Sequence, residues 1–430
     1  MAEPAGHAPP SAPSRRAAYW ALGLLTAINL LNYLDRYVIA PLTTDLTRDM
    51  GLSDTQIGWL LPAFLPLYIL TAPLFGAWGD RGSRTRPIAL GIGIWSLATV
   101  LSGLAHSYPQ LLAARALVGI GEASLVAIAP ALLADLFAPR GRARVFAVLN
   151  MAIPVGAALG YVVGGQVGAH FGWRAAFFVA GAPGLALAIA SLWLPDPPRG
   201  VQEGELEAAS RPASGPLTMY GHLLRRGPYM VLVLGYAAYT FALGGLALWM
   251  PAFLERVRHV PKADAATAFG LIVVGTGLVG TIAGGWLADH LRRYSSHAYL
   301  WFSGVVTLLA APVALIALAA AERAVYLPAI VAAELLLFMS TGPVNAALVN
   351  VVSPLERASA AALTMVTIHL LGDVPSPVLI GYLSDLFAHR LGDAAALGRA
   401  VLIVPAAILI AGLIWLLAAR FGERVAPARA

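Results

Sequence analysis

Four charged residues lie inside long apolar segments of the chain and could take part in ion-pair and proton chemistry. Asp35 and Arg36 are adjacent in the first apolar segment, and Arg115 and Glu122 lie in the fourth. A charged side chain at the centre of a membrane helix costs about 2.5 to 3.5 kcal/mol on insertion scales, so such groups usually face a protein interior and mark a pathway. We therefore expect these four residues to face the interior of a membrane protein.

The spacing of these residues limits how they can pair. Successive residues on a helix point about 100° apart, so Asp35 and Arg36 need partners on other helices. Arg115 and Glu122 are seven positions apart, which is nearly two helical turns, so both lie on one face of their helix.

Buried carboxylates with arginines nearby suit proton coupling. Burial favours the neutral form of a carboxyl group and a neighbouring arginine favours the charged form, so moving the arginine can switch the carboxyl between holding and releasing a proton. Asp35 is the first predicted proton-coupling residue and Glu122 the second. A static salt-bridge network that only positions helices is the alternative. Arg36 and Arg115 are predicted to bind substrate, because a guanidinium group offers a rigid fork that matches phosphate or carboxylate.

Three ionisable residues in the second half of the chain are further candidates for substrate binding. Glu334 and His369 lie within apolar segments and are expected to face Arg36 across a cavity. Asp373 follows His369 by about one helical turn and could orient its imidazole, or could cap the backbone that Pro375 and Pro377 disrupt. Both readings of Asp373 stay open, and His369 could also be a packing residue that only forms hydrogen bonds.

The sequence gives no support for an enzyme or for a nucleic-acid-binding protein. It contains no cysteine, no G-x-S-x-G and no H-E-x-x-H, so thiol, serine-nucleophile and zinc-hydrolase signatures are missing. Its acids are too few and too dispersed for a metal or sodium cage. Its basic residues are scattered between apolar segments and form no stripe. We predict no cofactor and no metal, with H⁺ as the coupling ion.

Composition predicts an integral membrane protein made of helices. Of 430 residues, 59% are hydrophobic and 12% charged, and the mean hydropathy is +0.75. A membrane helix needs about 20 apolar residues. The apolar segments predict twelve such helices, at 17–44, 56–78, 87–106, 108–137, 143–170, 174–194, 229–254, 264–289, 297–320, 324–352, 356–387 and 395–420.

The polar segments divide the chain into two halves of six helices. We predict an N-terminal tail at 1–16, bundles at 17–194 and 229–421, a linker at 195–228 and a tail at 422–430. Most lysines and arginines outside the helices fall on the side of the N-terminus, which predicts that both tails and the linker are cytoplasmic, in an inner or plasma membrane.

A short motif recurs in the two halves. Gly76–Arg81 reads G-A-W-G-D-R at the end of the second predicted helix, and Gly285–His290 reads G-W-L-A-D-H at the end of the eighth. Two parallel six-helix repeats create a cavity between them near the bilayer midplane, and rocking motions expose that cavity to each side in turn. The repeat therefore predicts a carrier.

The first copy of this motif resembles that of the major facilitator superfamily, G-x-L-A-D-R-x-G-R-R. Gly76, Asp80, Arg81 and Arg84 match, while a tryptophan replaces the leucine, Gly79 replaces the alanine and the second glycine is displaced. The resemblance implies that the aspartate caps a neighbouring helix and the arginines lock a gate. Asp80, Arg81 and Arg84 are therefore predicted gating residues, together with Asp289 in the second copy. The alternative is a loop that only retains positive charge on one side.

Three further segments resemble the Spinster family of lipid transporters within this superfamily. They are N-Y-L-D-R at 32–36, R-A-L-V-G-I-G-E-A-S at 115–124 and H-L-L-G-D-V-P-S-P-V-L-I-G at 369–381. The resemblance implies an all-α fold of two pseudo-symmetric six-helix bundles. It also makes the first and fourth helices neighbours at the cavity, so that Asp35, Arg36, Arg115 and Glu122 form one network, and it implies that His369 contacts substrate.

The same resemblance implies a function. We expect a proton-coupled secondary transporter that works by alternating access, functions as a monomer and moves an anionic amphiphile such as a lysophospholipid or a sphingosine-1-phosphate-like lipid. A carrier of small organic anions or drug-like compounds is the alternative. Symport and antiport both stay open.

Overall fold

The computed structural model describes residues 14–198, 216–353 and 356–421. This part of the chain is built from helices and contains no β-strand. Residues 1–13, 199–215 and 422–430, which include most of the predicted tails and half of the predicted linker, lie outside it. The prediction of an all-α protein is confirmed.

Within the described residues, twelve helical segments are long and apolar enough to cross a membrane, as predicted. In chain order, spans 1 to 12 are Arg15–Met50, Pro62–Arg81, Thr85–Gly103, Tyr108–Leu136, Arg144–Phe171, Trp173–Trp193, Gly227–Arg256, Lys262–Leu291, Ala298–Ala319, Arg323–Asn350, Ser359–Leu391 and Asp393–Arg420. A further helix, Pro216–Arg225, precedes span 7. Because the number of spans is even, both ends of the described chain lie on one side of the bundle, which we call the terminal side; the other side is the distal side.

The first two spans differ in their ends from the sequence prediction, for local reasons. Span 1 passes through a 3-10 turn at Ala40–Leu42, where Pro41 lacks an N–H, and then continues as a helix to Met50. It ends at Gly51, whose left-handed backbone (φ 64°) suits glycine. A short helix, Asp54–Leu60, then begins at a capping box, and span 2 follows it through a second 3-10 turn.

Span 11 is interrupted at its centre. A π-helix at His369–Asp373 separates the helices Arg357–Ile368 and Pro375–Leu391. The backbone N–H of Val374 donates to the carbonyl of His369, five residues back, at 3.2 Å. Pro375 has no N–H to donate, which favours a change of hydrogen-bond pattern here. Single-turn π-helices occur often at functional sites.

The two halves pack their helices in the same pattern. In the first half span 3 packs against spans 4 and 6, span 2 against span 4, and span 1 against span 5. The same pairs recur six helices later, with span 9 against spans 10 and 12, span 8 against span 10, and span 7 against span 11. Two six-helix bundles related by pseudo-symmetry are therefore present, as predicted.

A glycine stripe on span 5 fixes the position of span 1. Gly156, Gly160 and Gly164 lie one turn apart, and a Cβ atom on any of them would overlap a backbone carbonyl of span 1. Small residues at such spacing let two helix backbones approach closely. The stripe holds the segment of span 1 that carries Asp35 and Arg36.

The two bundles are joined at the distal side. Span 5 packs against span 8, and the helix Asp54–Leu60 packs against the distal part of span 11. Between described residues, every hydrogen bond and ion pair that crosses from one bundle to the other lies in the distal half of the molecule. The bundles thus meet at the distal side, whereas no such bond between described residues closes the terminal side.

Candidate functional site

A cavity of about 190 Å³ lies between the two bundles near their centre. Spans 1 and 2 supply one wall and spans 7 and 11 the other. Most of its lining is apolar, and the ionisable or hydroxyl-bearing side chains that reach it are Arg36, Tyr37, Thr240, His369 and Asp373. A cavity with a few polar groups on apolar walls suits an amphiphilic ligand.

Arg36 is the cationic group of the first wall. Its guanidinium forms an ion pair with Glu122 of span 4, and it lies 4.3 Å from the ring centre of Phe64 and 5.1 Å from that of Tyr33. The Arg36 side chain is 19% exposed, whereas that of Glu122 is 1% exposed. Arg36 therefore reaches both the cavity and a buried carboxylate behind it.

Only one of the two carboxylate oxygens of Glu122 accepts a hydrogen bond in this pair. Its Oε2 atom accepts from Arg36, while its buried Oε1 atom has no hydrogen-bond partner among the described residues. A buried carboxylate oxygen without a donor raises the free energy of the charged form, and a proton on the group would lower it. The site can hold a proton whenever Arg36 moves away.

Asp35 and Arg115 form a second ion pair beside the first. Arg115 Nη1 donates to Asp35 Oδ1 at 3.0 Å, and the Thr99 hydroxyl donates to Asp35 Oδ2 at 2.7 Å. Both charged side chains are 1% exposed, and neither lines the cavity. Both oxygens of this carboxylate therefore have partners, and the pair is sealed inside the N-terminal bundle.

The facing wall carries His369 and Asp373 from the π-helix. The Nδ1 atom of His369 lies 2.9 and 2.8 Å from the two carboxylate oxygens of Asp373. An ionised carboxylate only accepts hydrogen bonds, so this contact requires a proton on Nδ1. Asp373 thus orients the imidazole, which is one of the two readings that the sequence left open.

Glu334 of span 10 is buried but does not line this cavity. No hydrogen bond or ion pair joins it to another described residue. The structure therefore brings Arg36, His369 and Asp373 together at the cavity, and leaves Glu334 and Arg115 behind its walls.

The predicted gating residues lie at the terminal side and differ in their contacts. The side chains of Asp80 and Arg81 are exposed and form no hydrogen bond or ion pair with another described residue. Arg84 is buried and donates to Asp135 of its own bundle at 2.5 Å. Asp289 accepts from the Tyr299 hydroxyl at 2.7 Å, within the C-terminal bundle.

A set of polar residues at the distal junction was not singled out from the sequence. Its members from both bundles are Thr44, Asp45, Asp54, Thr55, Glu255, Arg256, Lys262, Ser384 and Asp385. One pattern in the sequence could have indicated Asp385. Gly381 and Asp385 repeat the Gly-x-x-x-Asp spacing of Gly76 with Asp80. The remaining members lie near span ends, where charged residues are ordinary.

Comparison with known proteins agrees with this geometry. A family model described as "Major Facilitator Superfamily" matches residues 25–372. Mouse "Protein spinster homolog 1" is 38% identical over 385 residues, which cover 84% of this chain and 72% of the mouse protein. Drosophila melanogaster "Protein spinster" is 34% identical, over 89% of this chain and 66% of the fly protein. The chain belongs to the Spinster family of the major facilitator superfamily.

Solved structures support the same assignment. A crystal structure described as a bacterial homolog to human lysosomal transporter, Spinster, in an inward-facing and unoccupied conformation matches this chain with a TM-score of 0.85 and 26% identity, over 97% of this chain and 100% of that chain. The nucleoside transporter NupG matches with a TM-score of 0.72 at 13% identity, over 93% of this chain and 98% of that chain, and shares the fold. The chain is thus a multi-pass membrane transporter of a non-enzymatic family, as predicted.

Proposed function

We propose that this protein is a proton-coupled secondary transporter that moves an anionic amphiphile, such as a lysophospholipid or a sphingosine-1-phosphate-like lipid, by alternating access. The observation that carries the proposal is the position of Arg36, which reaches a largely apolar cavity on one side and the buried Glu122 on the other. A guanidinium on an apolar wall suits an anionic headgroup joined to a hydrocarbon chain.

Competition for Arg36 supplies the coupling. A phosphate or carboxylate group of the substrate pairs with Arg36 in place of Glu122. Glu122, already short of one donor, then loses its counter-charge inside the protein and takes up a proton. Substrate anion and proton therefore bind together, and each favours the other by the same factor.

The sign of the pH dependence follows from this competition. A protonated Glu122 no longer competes for Arg36, so the anion binds more tightly as the pH falls. A carrier that releases both species on the opposite side is a symporter. Asp35 is a second proton group in this proposal, available only when Arg115 moves.

The facing wall completes the binding site. His369, oriented by Asp373, offers its Nε2 atom to polar groups of the substrate. Glu334 and Arg115 contribute from behind the walls, through the helices that carry the lining residues. Asp80, Arg81, Arg84 and Asp289 act as gating residues when the terminal side closes, and the exposed Asp80 is available for a new partner at that point.

The distribution of positive charge supports an orientation. We propose that both termini are cytoplasmic in an inner or plasma membrane, since most basic residues outside the spans lie on the terminal side. The cavity then opens towards the cytoplasm in the conformation described here, and the protein functions as a monomer.

A proton-flux assay tests the proposal. Purified protein is sealed in liposomes with a pH-sensitive dye inside, and lysophospholipid, sphingosine-1-phosphate or a panel of small carboxylates is added outside. We expect lipid-dependent acidification with the wild-type protein, loss of it with Glu122→Gln, and retention with Asp393→Asn, a control at an exposed acid on the distal side. Acidification by small carboxylates alone would favour the organic-anion carrier, and no proton movement with any ligand would overturn proton coupling.

A further inference from the structure

Asp385, at the distal end of span 11, binds the opposite bundle through both of its carboxylate oxygens. Its Oδ1 atom accepts from the backbone N–H of Asp54 at 2.9 Å. Its Oδ2 atom accepts from the backbone N–H of Thr55 at 2.9 Å and from the Thr55 hydroxyl at 2.5 Å. Three hydrogen bonds from one side chain thus cross the boundary between the bundles.

Asp54, whose amide donates to Asp385, is also bound through its own side chain. Arg256 of span 7 donates to its Oδ1 atom at 2.7 Å, and Ser384 of span 11 donates to its Oδ2 atom at 2.7 Å. The C-terminal bundle therefore contacts the start of the helix Asp54–Leu60 through donors and an acceptor together.

Close backbone packing makes this arrangement possible. A Cβ atom on Gly381 would overlap the backbone of Asp54, and one on Gly58 would overlap the backbone of Pro377. Two glycines, one from each bundle, therefore let the two helices approach until the Asp385 side chain reaches backbone amides.

The partners of Asp385 differ from those of the ion-paired residues at the junction, and its three donors outnumber the single Thr44 hydroxyl from which Glu255 accepts. Lys262 pairs with Asp45, and Arg256 pairs with Asp54. Within the described residues, Asp385 has no cationic side chain as partner, and its charge is offset by N–H and O–H donors of the opposite bundle. Hydrogen bonds to a charged acceptor are about twice as strong as neutral ones. If the bundles separate at the distal side, Asp385 loses all three donors at once.

We propose that Asp385 is the latch of the distal side: its release of Asp54 and Thr55 is required for the distal side to open, and its strength sets the ratio of distal-closed to distal-open molecules. Asp385 is twelve residues after Asp373, or about 18 Å along the helix, and does not line the cavity. It is a positioning residue that acts on the conformational equilibrium and not on substrate contact. The inference requires alternating access alone and is independent of the substrate and of proton coupling.

Distances between spin labels test this latch directly. The chain has no cysteine, so labels attach only where cysteines are introduced. Ala169 in span 5 and Ala395 in span 12 are exposed alanines at the distal ends of opposite bundles. The pair Ala169→Cys and Ala395→Cys, labelled in the full-length protein in lipid nanodiscs, reports the distance between the bundles at the distal side.

We expect Asp385→Asn to increase the ratio of distal-open to distal-closed molecules by about tenfold or more, because the amide lacks the charge and turns one acceptor into a donor. Thr55→Val removes only the hydroxyl and should change the ratio in the same direction by a smaller factor. Asp393→Asn, which neutralises an exposed acid nearby on the same side, should leave the distance distribution unchanged.

Two results would overturn the latch. One is a distance distribution that is the same as in the wild type for both Asp385→Asn and Thr55→Val. The other is an equal change in Asp393→Asn, which would show that net charge on this surface and not the specific contact sets the equilibrium. If Asp385→Asn fails to fold, the Thr55→Val distribution decides alone, since valine is similar in size and shape to threonine.

Discussion

The two ion pairs between spans 1 and 4 use the same chemistry with opposite polarity and in different surroundings. In one, Asp35 of span 1 accepts from Arg115 of span 4; in the other, Arg36 of span 1 donates to Glu122 of span 4. The first carboxylate has partners for both oxygens and no contact with the cavity. The second has one unpartnered oxygen, and its arginine is partly exposed to the cavity.

The difference shows that the type of pair does not decide its role. Breaking a buried pair whose carboxylate has a donor for each oxygen leaves a charge with nothing to offset it, so such a pair resists change and fixes two helices. A pair with a spare oxygen and an open side can exchange one partner for a substrate. We therefore propose a mainly structural role for Asp35 with Arg115, and the coupling role for Arg36 with Glu122.

We expect the largest effect from a substitution that breaks the buried ion pair of Asp35 with Arg115. Arg115→Met leaves the Asp35 charge buried without its cation, which typically costs about 3 to 5 kcal/mol. We expect a large fall in the yield of folded protein and in its thermal unfolding temperature. Adding Asp35→Asn to this variant should restore much of the lost yield and thermal stability. A stable single variant with full transport would contradict the structural role.

The next effect tests the pair that faces the cavity. Glu122→Gln should yield folded protein, because glutamine keeps the shape of the side chain and removes the charge that competes for Arg36. Anion binding should then lose its dependence on pH, with an affinity near that of the wild type at low pH. Binding measured by fluorescence titration across a pH series checks this, and a wild-type pH profile in the variant would refute the competition.

The contribution of the Arg36 charge to anion binding can be distinguished from the contribution of its side-chain packing. Arg36→Gln removes a charged hydrogen bond to the substrate anion, worth about 1.5 to 3 kcal/mol, so anion affinity should fall roughly 10- to 150-fold. Neutral analogues with the same hydrocarbon chain should bind nearly as well as to the wild type. Titration of both ligand types into each variant provides the measurement, and an equal loss for both would indicate general damage to the cavity.

We expect the smallest effect at an ion pair outside the spans, between Glu356 and Arg226. Glu356 accepts from Arg226 at 3.1 Å and from the Ser353 hydroxyl at 2.8 Å. Partial burial alone would raise the pKa of the Glu356 carboxyl, but hydrogen bonds from Ser353 and the charges of Arg226 and His222 lower it below its ordinary value of 4.5.

A lowered pKa means that this contact stabilises the fold above pH 4.5 and loses its contribution as the pH falls through the lower, folded-state value. Surface pairs contribute little, so Glu356→Gln should lower the unfolding temperature by only about 2 °C or less at neutral pH. Thermal melts at neutral and acidic pH provide the measurement, and the difference between variant and wild type should vanish at the acidic end.

The sequence predicted most of the fold because membrane helices are defined by length and apolar composition alone. It missed the internal breaks, such as the separate helix Asp54–Leu60 and the π-helix at His369–Asp373, because these depend on prolines and caps within apolar segments. It identified the charged residues of spans 1 and 4. Which acid pairs with which arginine depends on how the two helices are rotated relative to each other, and residue spacing within one helix does not contain that information.

The candidate site was predicted only in part for the same reason. Arg36, His369 and Asp373 do meet at the cavity, whereas Glu334 has the same sequence signature and lies behind the wall. Asp385 was overlooked because it lies near the end of an apolar segment, where a charge needs no special explanation. Its importance comes from partners more than three hundred positions away in the chain.

The π-helix of span 11 fixes the direction in which Asp385 points at the distal junction relative to the direction of His369 at the cavity. An α-helix turns by about 100° per residue, so removing one residue between His369 and Asp373 would rotate everything beyond it by that angle. Either His369 would leave the cavity wall or Asp385 would turn away from Asp54. The five-residue length of this segment therefore aligns the cavity-lining part of the helix with the part that carries Asp385, and insertions or deletions there should be tolerated far less than substitutions.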